Sequence, residues 1–319
     1  MKYVLKKIAT LIITLFIVSV LAFVSFQIIP GDVVTSILGT EATPELEQAL
    51  RTELGLDKPP VVRYGNWVKD ISRGDLGVSY RYSKNMNSMM PVKELIGDKL
   101  PVTLFLAGIS LIFTVLIAIP LGILWAGTKN KVLDGLLNTL TQTQMAIPAF
   151  FLGILVTYLF GMVFHLFVPG GYVGYKEDFS GFIKYMVFPA IAMAIPKIGM
   201  TARFLRNSTI VELTADYVRT AKSKGAGEAR ILFVHVLRNA MLPVVTFLGM
   251  IIAEVVAGSI VVEQVFSLPG IGRLLVSSIN TRDFPVVEIL ILYITTVVIV
   301  VYFLVDILYR VLDPRIREE

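Results

Sequence analysis

Six long apolar runs separated by polar segments constrain this chain more than any other feature. A membrane-spanning helix needs about 20 mostly apolar residues. Runs of that length cover 8–29, 102–126, 138–160, 184–204, 240–262 and 286–309. Inside lipid, each backbone N–H and C=O must find its partner within the protein, so such runs fold as helices. The expected fold class is an all-α integral membrane protein with six transmembrane helices. Composition agrees: 55% of residues are hydrophobic and 17% charged, against about 45–50% and about 25% in soluble domains. The fourth run is the weakest, because Pro189, Pro196 and Lys197 interrupt it. Prolines are tolerated where neighbouring helices satisfy the freed groups, so this span is expected to face protein.

The first run follows Lys2, Lys6 and Lys7, as a secretory leader would. Its roughly 22 apolar residues exceed the roughly 7–15 of a leader, and no small-x-small cleavage site follows, so a retained helix is expected. Lys and Arg set orientation through the short connecting segments. They gather at the N-terminus, at Lys129 and Lys131, at Arg203, Arg206, Arg219, Lys222, Lys224, Arg230 and Arg238, and at Arg310, Arg315 and Arg317. The opposite short loops hold only Lys176, Arg273 and Arg282. Both termini and the loop between the fourth and fifth spans are therefore expected in the cytoplasm of a prokaryotic cell, with the chain in its inner or plasma membrane.

Residues 30–100 must then lie outside, as a small extracytoplasmic cap between helices 1 and 2. Nine basic and ten acidic residues leave this segment nearly neutral, and long loops cross largely regardless of charge. Within it, Thr43 suits an N-cap, Pro44 the first helical position, Glu45 and Glu47 the first turn, and Gly55 the C-terminal stop. Leu46, Leu50 and Leu54 would form the buried stripe of that helix. The expected domains are 1–29, the first helix; 30–100, the cap; 101–310, a five-helix core with a cytoplasmic loop at 207–239; and 311–319, a cytoplasmic tail.

No phosphate-cradling G-x-x-x-x-G-K-S/T motif occurs, nor H-E-x-x-H, nor G-x-S-x-G. The two histidines, His165 and His235, fall on opposite sides of the expected membrane. With no cysteine, thiolate metal sites and cysteine nucleophiles are absent. The chain is expected to be no enzyme, with no catalytic residue, no metal site and no cofactor of its own. Basic residues flank apolar spans without interleaved aromatics, which argues for topology and lipid contact rather than nucleic-acid binding.

The polar stretch 216–243 reads as two helix-prone arms, 216–224 and 228–238, broken by Gly225-Ala226-Gly227. Glycine permits a sharp backbone turn, so two short helices meeting at an elbow are expected. Such an arm suits either an amphipathic helix on lipid or a docking surface.

Within the spans, Glu254 falls near mid-bilayer, where an ionisable group by default marks a pathway or a paired site. Gly249, Ala253 and Ala257 form a small-residue stripe suited to helix packing. Glu254 lies about 100° around the helix from Ala253. It is expected either protonated or hydrogen-bonded to a Ser or Thr of a neighbouring helix, or serving as a pathway carboxylate for cationic cargo. Lys197 is expected to snorkel to the cytoplasmic interface, and Glu288 and Asp306 to solvate at span ends.

Several stretches together resemble a known family. They are Pro30-Gly31-Asp32; Ala202-Arg203-Phe204-Leu205-Arg206; Asp216-Tyr217 with Arg219-Thr220-Ala221, Lys224 and Gly225; Leu237-Arg238-Asn239-Ala240 with Leu242-Pro243; Val262-Glu263 with Phe266; Pro269-Gly270-Ile271-Gly272-Arg273; Arg282-Asp283-Phe284-Pro285-Val286; Asp306-Ile307-Leu308-Tyr309; and Asp313-Pro314-Arg315-Ile316-Arg317. The chain resembles permeases of binding-protein-dependent ABC importers, in the dipeptide, oligopeptide and nickel group. Arg219-Thr220-Ala221 stands where the general coupling motif has Glu-Ala-Ala. The resemblance implies a type I importer permease fold and a coupling loop at Asp216, Tyr217, Arg219, Thr220, Ala221, Lys224, Gly225 and Glu228. It implies as partners a second homologous permease, two cytoplasmic ATPase subunits that bind ATP and Mg, and an extracytoplasmic substrate-binding protein. Peptide, nickel or a metal chelate is the implied cargo. A secondary transporter or channel using Glu254 and Lys197 is the competing expectation; the absence of an internal repeat counts against it.

Overall fold

The structure, a computed structural model, describes residues 2–28, 34, 43–53, 55–82 and 90–312. Pro30-Gly31-Asp32, Leu54 and the motif 313–317 lie outside the described residues. The chain divides into two compact units, Met1–Val102 with Pro269–Val297, and Thr103–Leu268 with Val298–Glu319.

The first unit opens with α1 (Lys2–Ile28), α2 (Pro44–Glu53) and α3 (Pro60–Ser72). A two-residue antiparallel pair follows, β1 (Val78–Ser79) with β2 (Met90–Pro91), a small departure from an all-helical chain. The start of α4 (Val92–Ala126), α11 (Ile271–Asn280) and the start of α12 (Phe284–Leu312) complete it. The α2 helix begins as its sequence suggests, with Thr43 Oγ1 accepting from the Leu46 amide at 3.3 Å. It ends at Gly55, whose φ of 65° is left-handed. There the Leu56 amide reaches the Arg51 carbonyl at 2.9 Å and the Gly55 amide the Thr52 carbonyl at 3.1 Å, the paired bonds of a glycine-terminated helix. The expected buried stripe fails at Leu46, which is exposed. A ten-residue helix with so polar a sequence has little to bury.

Val92, Leu95 and Ile96 of α4, Ile271 and Leu274 of α11, and Val286, Ile289 and Leu290 of α12 form the core of this unit. That packing explains why α4 starts about ten residues before its apolar run, since its first turns are amphipathic and bury one face. The α1 helix is tied to α3 by Ser19 and Tyr64 hydroxyls 2.8 Å apart and by the Phe23 and Tyr64 rings at 5.4 Å. Elsewhere α1 exposes Ile12, Ile13, Phe16, Ile17 and Leu21, as a lipid-facing helix does.

The second unit contains the rest of α4, then α5 (Lys131–Ala146) and α6 (Ala149–Val156), which continues as a π-helical turn over Thr157–Val163. After it come α7 (Phe179–Leu213), α8 (Asp216–Ser223), the short α9 (Glu228–Arg230) and α10 (Leu237–Val265). The third span differs from expectation: instead of one helix over 138–160, two helices meet at 99° around Ile147-Pro148. Proline excludes the helical conformation from the residue before it, and Ile147 is accordingly extended, at ψ 124°. Asn130 caps α5, its Oδ1 accepting from the Val132 amide at 2.9 Å. By contrast, α7 runs through Pro189 and Pro196 for 35 residues. It packs on α5, α6 and α10, which agrees with the expectation that this span faces protein. Counting the bent pair as one span, the described residues hold six apolar spans.

Candidate functional site

The segment joining α7 to α10 holds most residues singled out from sequence. In α8, Val218 is buried with Ile231 and Val236, and Leu213, Tyr217, Ala221 and Ala226 pack against them. Burying a Val or Ile contributes roughly 1.5–3 kcal/mol, so this small core holds the loop in shape. The opposite face, with Asp216, Arg219, Thr220, Lys222 and Lys224, is exposed. Tyr217 donates its hydroxyl to the Glu212 carboxylate at 2.6 Å. Burial, then Glu212, holds the phenol above its ordinary pKa, so it stays a neutral donor.

Gly225 closes α8 with φ 79°. Its amide meets the Lys222 carbonyl at 2.9 Å, and the Ala226 amide meets that of Ala221 at 3.1 Å. This repeats the glycine-terminated pattern of α2. Gly227 has a φ of −66° that any residue adopts, so the elbow needs glycine at 225 alone. The second arm departs from expectation. Instead of a separate short helix, Glu228–Arg230 leads through a π-helical turn, Ile231–Val236, into α10. Apolar residues at 231, 232, 234 and 236 leave nothing to stop the helix, and Pro243 sits within it. The elbow's second arm is therefore continuous with the fifth span.

Side chains from other helices reach this end of the unit. Lys129 Nζ donates to Glu228 at 2.9 Å between two exposed side chains; such a pair is worth about 0–1 kcal/mol. Asp134 accepts from Trp125 Nε1 at 2.7 Å and from Arg206 Nη2 at 2.6 Å. The Arg206 guanidinium lies 4.8 Å over the Trp125 ring. In the sequence Arg206 stands out as a topology charge and as part of the stretch 202–206, whereas Asp134 and Trp125 were missed; an acid and a Trp flanking a predicted helix start were the available signal.

Within the spans, Glu254 of α10 forms an ion pair with Lys197 of α7. This corrects two expectations: Lys197 does not snorkel, and the partner of Glu254 is a cation rather than a Ser or Thr. For either charge, an opposite charge within reach is worth more than stretching to the interface. Of the small-residue stripe, Gly249 abuts the sixth span, where a Cβ would meet Val305 at 2.2 Å. Ala253 is buried, while Ala257 is exposed. A second acid of α10, Glu263, is fully buried and accepts from Thr103 Oγ1 at 2.7 Å.

In the first unit, buried Asp283 accepts from the Ser79 hydroxyl and from the Tyr80 and Arg81 amides at 3.2 and 3.4 Å. A cavity of about 400 Å³ lies beside it, lined by Arg63, Trp67, Asp70, Tyr80 and Glu288 among others. Burial, then Asp283 and Glu288, pushes the Tyr80 phenol up to about 12. Glu288 lines this cavity, half-buried, instead of solvating freely; Asp306, in the second unit, is also half-buried. Among the described residues, no cluster of His, Asp and Glu has the arrangement of a metal site.

Six apolar spans with polar connections define a multi-pass α-helical membrane protein. The model of the binding-protein-dependent transport system inner membrane component matches residues 118–318, and that of the N-terminal part of such components matches residues 1–107. A proposed peptide transport system permease protein of Brucella abortus is 37% identical over 314 residues, 98% of each chain. The glutathione transport system permease protein of Salmonella typhimurium is 37% identical over 317 residues, 99% of each chain. A crystal structure of an amino acid ABC transporter with histidines aligns with a TM-score of 0.55 at 17% identity, covering 68% of this chain and 94% of that one. The chain belongs to the family of binding-protein-dependent transport inner-membrane components, and its fold is that of a type I ABC importer permease.

Proposed function

We propose that this chain forms half of the translocation pathway of an ATP-driven importer for peptides. Its relatives bear the names of peptide and glutathione permeases, and that naming carries the choice of cargo. Under this reading a second, homologous permease completes the pathway. Two cytoplasmic ATPases grip the loop at Asp216, Tyr217, Arg219, Thr220, Ala221, Lys224, Gly225 and Glu228, and bind the ATP and Mg that this chain has no motif to hold. An extracytoplasmic binding protein delivers cargo to the cap at 30–100, and both termini and the tail at 311–319 lie in the cytoplasm.

The observation that best supports coupling through the loop is its construction. A buried core fixes α8, a left-handed glycine fixes the elbow, and the second arm is continuous with the fifth span. The resemblance also implied nickel or a metal chelate as cargo, but the Lys197 ammonium beside Glu254 repels a divalent cation, which favours peptide. Family membership argues against a self-sufficient secondary transporter or channel. In proteoliposomes the chain alone should move no peptide, and the assembly with its ATPases and binding protein should take it up only with ATP. Uptake by the chain alone would refute the reading.

A further inference from the structure

The Lys197–Glu254 pair sits far from either end of its helices. Lys197 is about 27 Å from the start of α7 and about 24 Å from its end, at ~1.5 Å per residue. It is the sole charged side chain between 185 and 202, and Glu254 the sole one between 239 and 262. The apolar lengths of the fourth and fifth spans therefore hold one cation and one anion, facing each other. Both spans continue directly into the two ends of the loop described above.

The pair is neutral as a whole but unequal in access. The Lys197 side chain is 19% exposed and that of Glu254 46%. A purely structural pair in a membrane interior is most stable when both charges are enclosed and their remaining hydrogen-bonding positions filled. Glu254 instead keeps nearly half its surface open, and no further bond to its carboxylate is found among the described residues. The open carboxylate can therefore accept a second donor while Lys197 stays held in the protein.

From this geometry we infer that Lys197 and Glu254 form an exchange site for a zwitterion, in which the cargo's ammonium takes over Glu254 and its carboxylate takes over Lys197. The inference rests on the peptide reading above and adds to it which part of the peptide this chain recognises. During exchange, one internal ion pair is replaced by two pairs with the cargo. Neither Lys197 nor Glu254 is left without a counter-charge. A cargo bearing only an ammonium would strand Lys197, and one bearing only a carboxylate would strand Glu254. Each stranded charge in low dielectric is strongly unfavourable, so the site selects for both termini and tolerates any side chain between them. No covalent step is involved.

The test uses the complete transporter in proteoliposomes, with alanine peptides of two to five residues and glutathione as probes. Wild-type uptake of none of them would remove the peptide reading itself. Given wild-type uptake, the neutral pair Lys197→Met/Glu254→Gln should lower uptake per ATP hydrolysed by at least about tenfold. The exchanged pair Lys197→Glu/Glu254→Lys, which keeps both charges, should recover to within about threefold of wild type. Wild-type uptake by the neutral pair would overturn the inference, because a structural pair alone needs no charge. So would an exchanged pair that assembles and hydrolyses ATP yet transports no better than the neutral one. If the neutral pair fails to assemble, the wild-type protein decides the matter with trialanine blocked at both termini: its loss relative to free trialanine is expected, and equal uptake of the two would overturn the inference.

Discussion

Replacing Gly225 with Val is expected to lower ATP-driven uptake by at least about tenfold in a complex that still assembles, with hydrolysis continuing uncoupled. Nothing lies within 4 Å of a Cβ built at this position, so the effect is not steric. It comes from φ, which at 79° lies in the left-handed region. A β-branched residue held there costs on the order of 1–3 kcal/mol. The backbone can relieve that strain by giving up the bonds from the Gly225 and Ala226 amides to α8, which re-aims the helix relative to the start of α10. Gly225→Asn should be milder, because Asn visits this region more readily than other non-glycine residues. Parallel measurement of ATP hydrolysis and uptake separates the outcomes, and coupling unchanged by Val would count against the elbow.

Asp283→Ala should produce the largest loss of stability in the first unit. The carboxylate is 1% exposed and accepts from one hydroxyl and two backbone amides. Hydrogen bonds to a charged group are worth about 1.5–3 kcal/mol each, and buried donors left without an acceptor add their desolvation cost. A fall of roughly 5–10 °C in the midpoint of thermal unfolding, measured in lipid nanodiscs, is expected. Asp283→Asn keeps the volume and one acceptor oxygen and should lose about half as much. An unchanged midpoint for the Ala variant would mean that Asp283 does not anchor β1 to the α11–α12 turn.

What sequence made legible here is what neighbours in the chain decide. Apolar length gave the spans, and Thr43, Pro44 and Gly55 gave both ends of α2. Gly225 announced a left-handed stop because no other residue type adopts it so easily. The bend of the third span was also local, but Pro148 lies inside an apolar run whose hydropathy outweighed it. In the fourth span the reverse held: Pro189 and Pro196 suggested a break, and packing on three helices kept α7 continuous. The ion pair of Lys197 with Glu254 joins residues 57 apart, and Asp283 meets Ser79 across 204. Such contacts depend on helix rotation and register, which periodicity in one chain does not specify. A lone charge inside an apolar run shows that a partner is needed without naming it.

Under the proposed function, force enters this chain through α8 and the Gly225 elbow, from a cytoplasmic ATPase. The chain contains no cysteine, so Lys222→Cys places its only thiol on the exposed face of α8. In sealed membrane vesicles of known orientation, that thiol should cross-link to an ATPase subunit and resist a membrane-impermeant thiol reagent added from outside the cell's face. A thiol labelled from that outer face, with no cross-link to the ATPase, would contradict both the orientation and the coupling role.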